Sequence, residues 1–221
     1  MDEHGWFKAL PKSARERVLA DIYERHFNGD DTVARRGDLA DAWLGVAEGL
    51  LKISAAHRSG KVVMHTGIPE GSWVGEGAVI KRELRKYDVI AVRSSRVLFV
   101  PGSTFRWLLD TSTEFCHLII ASLNERLGQY ITMVEIDRLT DPVARVARSI
   151  GTLYNPILYP HMSALLHLSQ SELGELIGFS RQRVNVALKR LEAEGLISTQ
   201  YGGVLVENLP ALIAYQEEED E

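Results

Sequence analysis

The chain is poor in several features that would each define a class of protein. It has one cysteine, Cys116, so no internal disulfide can form, and the four thiolates of a structural zinc site or an iron–sulfur cluster are missing. No run reaches the roughly eighteen apolar residues that a membrane-spanning helix needs. Met1 to Leu10 is polar and acidic, unlike a secretory signal. A cytoplasmic location without a membrane partner is the expectation. There is no His-x-His or His-Glu-x-x-His, and His57 and His65 stand eight residues apart with no third ligand at a usable distance. A small-ligand-binding or metal-dependent, cupin-like β-barrel without DNA-binding activity is the alternative, and its metal-dependent form lacks a ligand set. No catalytic residue, metal site or cofactor is expected.

What is present is an ordinary globular composition: 221 residues, 45% hydrophobic and 25% charged, enough for one to two domains. The net charge of −5 argues against a nucleic-acid binder only until it is located. Glu217 to Glu221 are all acidic, and without them basic and acidic residues balance. This tail is expected to be solvated and disordered.

The texture of the chain changes along its length. From Trp6 to about His26, Leu10, Val18, Leu19 and Ile22 recur at helical spacing and predict one or two short amphipathic helices. From Thr32 to Phe105 short apolar runs (Trp43–Val46, Leu50–Ile53, Lys61–Met64, Val89–Val92, Val97–Val100) alternate with glycines, the pattern of a small sandwich or barrel. Ser112 to about Glu135 holds no proline and carries apolar residues every three to four positions, which predicts one helix of roughly six turns. Its stripe needs a cover, and a second copy of the helix is the economical one; packing on its own domain is the alternative. The expected dimer stripe is Phe115, Leu118, Ile119, Ser122, Leu127, Tyr130 and Val134. Asp141-Pro142 reads as a cap and first helical residue, leaving Arg138 to Asp141 as a hinge.

The most informative stretch follows. Ser169-Gln-Ser-Glu172 fits a capping box, Leu173, Leu176 and Ile177 form a buried stripe, and Gly178 can end the helix in a left-handed conformation. Ser180 caps a second helix, Arg181 to Glu194, stopped by Gly195. Two short helices about a tight turn make a helix-turn-helix. In the second, Val184, Leu188 and Leu191 bury one face, which leaves Gln182, Asn185, Val186 and Lys189 outward, with Arg181 and Arg183 at its start. Between Phe179 and Leu191 there are four basic residues and no acid, the local balance that phosphate contact requires. Leu196 to Val206, strand-forming about Gly202-Gly203, reads as a wing.

The residues Ser169-Gln-Ser-Glu-Leu-Gly-Glu-Leu-Ile-Gly-Phe-Ser-Arg-Gln-Arg-Val-Asn-Val-Ala-Leu188, followed by Leu191-Glu-Ala-Glu-Gly-Leu-Ile197, closely resemble the winged helix of the CRP/FNR family of bacterial transcription regulators. Arg36-Gly-Asp-Leu-Ala-Asp41 resembles an early turn of that family's β-roll, Gly75-Glu76 the entry to its phosphate cassette, and Ser112 to Glu135 its dimerisation helix. The resemblance implies an α+β fold: a jelly-roll-like β-roll (double-stranded β-helix) over 1–110, a dimerisation helix over 111–137, a winged helix over 138–216, and the tail 217–221. It also implies a homodimer on a pseudo-palindromic double-stranded DNA operator, with RNA polymerase as a further partner.

By the same resemblance, bases are read from Arg181, Gln182, Asn185 and Val186, with Ser180, Arg183 and Lys189 completing the DNA face. Gln182 stands where glutamate is usual and Val186 where arginine is usual, so a thymine-methyl contact replaces a guanine contact at the latter. The implied effector pocket is Gly75, Glu76, Arg85, Lys86 and Tyr130. Lys86 and Tyr87 then follow where serine and alanine are expected, and Tyr130 and Ile131 replace a hydroxyl pair on the long helix. Those departures argue against cyclic AMP and for a different small effector, or none. Cys116-His117 could sense redox state or bind haem, but a packed small residue is the commoner role for such a cysteine.

Overall fold

The computed structural model describes residues 5–56 and 62–216. His57 and the tail 217–221 lie outside the described residues. The N-terminal segment forms α1 (Gly5–Lys8) and α2 (Lys12–Asp21). The roll follows as β1 (Tyr23–Phe27), β2 (Thr32–Ala34), β3 (Ala42–Glu48), β4 (Leu50–Ala56), β5 (Val62–Pro69), β6 (Trp73–Val74), α3 (Glu76–Lys81), β7 (Asp88–Ala91) and β8 (Ser95–Pro101). The helical expectation to His26 is too long, because β1 pairs antiparallel with β8 and Tyr23 stacks on Phe99 across the pair, ring centroids 5.0 Å apart.

Two four-stranded antiparallel sheets, ordered β1-β8-β3-β6 and β2-β7-β4-β5, face each other. Strand periodicity sorts their residues. Leu44, Val46, Val97 and Phe99 point between the sheets to meet Leu51, Ile53, Val89 and Ala91. Trp43, Leu98 and Val100, offset by one, point to the other side and join a second core with Trp6, Phe7, Phe105 and Phe115.

Two helices leave the roll rather than one. Helix α4 (Gly102–Thr111), which the pattern of short runs concealed, precedes α5 (Thr113–Ile136). Ser112 breaks them with an extended backbone and its Oγ accepts from the Phe115 amide at 3.2 Å. The first turns of α5 are part of the roll's own core: Phe115 and Ile119 are buried. These two residues therefore do not belong to an outward stripe, since their side chains fill the space behind the tryptophans.

Asp141 caps α6 (Pro142–Thr152), accepting from the amides of Val143 and Ala144 at 2.9 and 3.1 Å. Then come β9 (Leu165–Leu166), α7 (Gln170–Ile177), α8 (Arg181–Ala193), β10 (Ile197–Gln200), β11 (Gly203–Val206) and α9 (Leu209–Ile213). The strands form a small sheet ordered β10-β11-β9. Val146, Ile150, Leu173, Val184, Leu188 and Leu191 share one core with Leu50 of the roll. Polar contacts join the same two parts: Lys52 Nζ lies 2.7 Å from Glu175 and Arg93 Nη1 3.0 Å from Glu172. Among the described residues no helix is long and apolar enough to cross a membrane.

Candidate functional site

The turn between α7 and α8 is built from local hydrogen bonds. Ser169 Oγ accepts from the Glu172 amide at 3.2 Å while the Glu172 carboxylate accepts from the Ser169 amide at 2.7 Å, a complete capping box. Gly178 closes α7 at φ 72°, a conformation that favours glycine. Ser180 Oγ then accepts from the Arg183 amide at 3.3 Å and opens α8. Val184, Ala187, Leu188 and Leu191 are buried, so the orientation of α8 is set by its apolar face.

The opposite face is open. Arg181, Gln182, Arg183 and Lys189 are exposed, and Val186 presents 62% of its surface to solvent. Two of the candidate DNA residues carry structural duties as well. The Arg183 guanidinium lies 4.5 Å over the Phe179 ring, and Asn185 donates its amide to Gln170 at 3.0 Å, tying α8 to α7. The hairpin β10–β11 stands beside α8 as a wing with Tyr201 fully exposed at its tip. It is braced by Glu192, whose carboxylate accepts from the amide and hydroxyl of Thr199 at 2.6 and 2.8 Å. Those bonds hold the Glu192 carboxyl below its ordinary pKa.

A second site lies between α3 and α5, in a cavity of about 280 Å³ lined by Glu76, Arg85, Lys86, Tyr87, Arg126 and Tyr130 among others. Gly75 adopts φ 95° at the start of α3, and a side chain there would meet Arg85 Nη1 at 2.8 Å. Arg85 is buried and donates from Nη2 to the Ala42 carbonyl at 2.7 Å, while its Nη1 has no hydrogen-bond partner. Glu76 is buried and accepts from Arg126 Nε at 3.0 Å, leaving Oε2 without a partner. Lys86 turns outward to Glu83 at 3.1 Å. Burial pushes the Tyr87 hydroxyl up to about 12 and raises that of Tyr130, and it lowers the pKa of Arg85. For Arg126 burial works against the charge, but Glu76, Tyr159 and Tyr87 together outweigh it and the guanidinium is held above its ordinary value.

Gly75, Glu76, Arg85 and Tyr130 thus meet in one place, and Lys86 reaches only the rim. Arg126 was missed by the sequence reading. It is the one Lys or Arg between Ser112 and Glu135, and that isolation within an apolar helix was the available signal. Along the rest of α5 the expected stripe divides. Leu127 and Val134 are exposed, at 60% and 54%, and Ile120, Leu123 and Ile131 share that outward face. Leu118 and Ser122 line a different cavity, and Tyr130 the one just described. Cys116 Sγ is half-buried, 3.0 Å from the Leu109 carbonyl. Among the described residues no group of three or more His, Cys, Asp or Glu is placed to hold a metal ion.

A β-roll, a long helix and a winged helix with an open basic face have the architecture of a DNA-binding regulator. The comparisons agree with that class. Residues 24–112 match a cyclic nucleotide-binding domain and residues 144–215 a Crp-like helix-turn-helix domain. The cAMP-activated global transcriptional regulator Vfr of Pseudomonas aeruginosa is 23% identical over 188 residues, covering 82% of this chain and 88% of Vfr. Among solved structures, FixK2 from Bradyrhizobium japonicum superposes with a TM-score of 0.71 at 14% identity, covering 90% of this chain and 99% of FixK2. The c-di-GMP responsive global regulator CLP of Xanthomonas campestris gives 0.62 at 24% identity, covering 89% and 99%. The chain belongs to the CRP/FNR family of transcription regulators. Its relatives are regulators of transcription and not enzymes.

Proposed function

We propose that this DNA-binding regulator works as a homodimer that reads a pseudo-palindromic operator, with α8 of each subunit in a major groove. The observation that carries this reading is the face of α8: Arg181, Gln182 and Lys189 stand exposed on a helix whose other side is locked into the core. In this reading Arg181 and Gln182 pair with base edges, Val186 meets a thymine methyl, and Ser180, Arg183, Asn185 and Lys189 position the helix. The dimer contact is the outward face of α5, Ile120, Leu123, Leu127, Ile131 and Val134, continuous apolar surface along four turns. Half-sites then lie about one helical turn apart. Residues 1–110 serve as sensor, 111–137 as dimer helix and 138–216 as reader. RNA polymerase contact is part of the same family reading.

The cavity between α3 and α5 is the effector site in this proposal, and the effector is one other than cyclic AMP. Arg85 Nη1 and Glu76 Oε2 suit an anion and a hydroxyl donor, as a nucleotide would supply. Arg126, however, already engages Glu76, Lys86 points away, and Tyr87 and Tyr130 crowd the space beside α5. Relatives named for cyclic AMP and for c-di-GMP respectively support the idea that this fold changes its ligand. The test is selection of bound DNA from a random pool, repeated with fractionated cell metabolites. An enriched inverted repeat is the expected result, and recovery of no motif would sink the reading.

A further inference from the structure

Among the described residues, unpaired buried polar groups gather around a second cavity, which shares a wall with the roll pocket. A cavity of about 490 Å³ opens where the roll, the middle of α5 and the segment after α6 meet. Three tryptophans form one side: Trp43 and Trp73 with ring centroids 4.3 Å apart, and Trp6 at 5.1 Å from each. Leu118, Ala121 and Ser122 of α5 form the floor, and Pro156, Ile157 and Leu158 of the DNA-reading part form the lip. Buried polar groups are paired almost without exception in folded proteins, so each unpaired one calls for an explanation. Here four occur on residues that line one cavity: Trp6 Nε1, Trp43 Nε1, Arg126 Nη1 and Glu76 Oε2. An indole N–H can only donate and a carboxylate can only accept. The residues of the wall therefore carry three unpaired donors and one unpaired acceptor among aromatic faces.

We propose that this cavity is a second small-molecule site, for a flat aromatic compound that carries oxygen acceptors and at least one hydroxyl donor. The volume is that of a small-ligand pocket. The tryptophans supply stacking and edge contacts, ring oxygens or a carbonyl accept from the indole N–H groups and Arg126, and the hydroxyl donates to Glu76. The site has a built-in link to the roll pocket, because Glu76 and Arg126 line both cavities and form the wall between them. It is also closed by Ile157 and Leu158, so a bound ring bridges the sensor and the DNA-reading part. Whatever affinity the ligand gains or loses when the roll pocket is filled, the roll effector gains or loses equally.

The test uses 7-hydroxycoumarin, a flat bicycle with a carbonyl, a ring oxygen and one hydroxyl, titrated into the full-length chain. Energy transfer from tryptophan to the probe is read together with calorimetry, and neither readout requires DNA. Expected are saturable transfer with one probe per chain, and binding weaker by about tenfold or more for coumarin, which lacks the hydroxyl and leaves Glu76 unpaired. Ala121→Phe fills the floor and Ile157→Glu sets a carboxylate at the exposed lip; each weakens binding by about tenfold or more. Ala78→Phe, at a residue that lines the roll pocket and not this cavity, leaves a probe site in place. Ile157→Glu keeps the test decisive if Ala121→Phe fails to fold, since Ile157 is 46% exposed. No saturable transfer, equal binding by wild type and both cavity variants, or loss in Ala78→Phe alone would overturn the proposal.

Discussion

Arg126 of α5 donates from Nε to Glu76 of α3 at 3.0 Å, and both side chains are almost wholly buried. The same guanidinium donates from Nη2 to the Trp73 carbonyl at 2.9 Å. One charged residue thus pins α5 to the start of α3, at the wall between two cavities. A buried ion pair is worth little relative to apolar groups of the same shape, but breaking it strands a charge.

That asymmetry gives the first prediction. Glu76→Met or Arg126→Met alone should lower stability by about 3–5 kcal/mol, whereas Glu76→Met with Arg126→Met should recover most of the loss. Denaturant unfolding of the four proteins measures the cycle. Additive losses in the double variant would show that the pair is not coupled.

The division of α5 separates association from folding. Leu127→Lys places a charge on the exposed stripe and should yield well-folded monomers with reduced operator affinity. Ile119→Ala removes buried volume behind the tryptophans and should cost about 2–5 kcal/mol while the dimer persists. Sedimentation together with thermal melting distinguishes the two. Monomers from Ile119→Ala and dimers from Leu127→Lys would reverse the assignment.

Within α8, readout and positioning should part. Arg181→Ala or Gln182→Ala should cost about 1–3 kcal/mol and relax preference at one base pair. Lys189→Ala should weaken all sequences alike and reduce the salt slope by about one. Sequence profiles identical to wild type in both readout variants would refute the scheme.

The wing should respond to acid through Glu192. A carboxyl whose folded pKa is depressed contributes stability above its unfolded pKa and loses it as the pH falls through the folded value. The melting temperature of the wild type should therefore exceed that of Glu192→Gln at neutral pH. The gap should close as the pH drops below the ordinary value of 4.5. A gap independent of pH would mean that the Thr199 contacts add nothing through charge.

Operator affinity should not depend on cyclic AMP. Calorimetry should show no tight binding, because Tyr87 and Tyr130 line the cavity and Lys86 is turned outward to Glu83. Dissociation in the low micromolar range with an about tenfold gain in operator affinity would mean that Tyr130 and Lys86 move aside.

The DNA-reading unit was legible in the sequence because its determinants lie within a few residues of each other. A serine and a glutamate three apart make the capping box, Gly178 ends one helix, and the spacing of Val184, Leu188 and Leu191 turns the next. The alternation of the roll strands was legible for the same reason. What α5 does with its faces was not. Its periodicity announced an apolar stripe, but Phe115 and Ile119 turn inward to the tryptophans, Arg126 and Gln129 are buried, and Ile120, Leu127 and Ile131 turn outward. Deciding that requires knowing what stands opposite each face, and those neighbours come from Trp6, Trp43, Trp73 and Glu76, the last fifty positions from Arg126. Period alone says that a helix has two sides; only tertiary packing, through burial and the pairing of a charge that cannot be left alone, says which side is the inside.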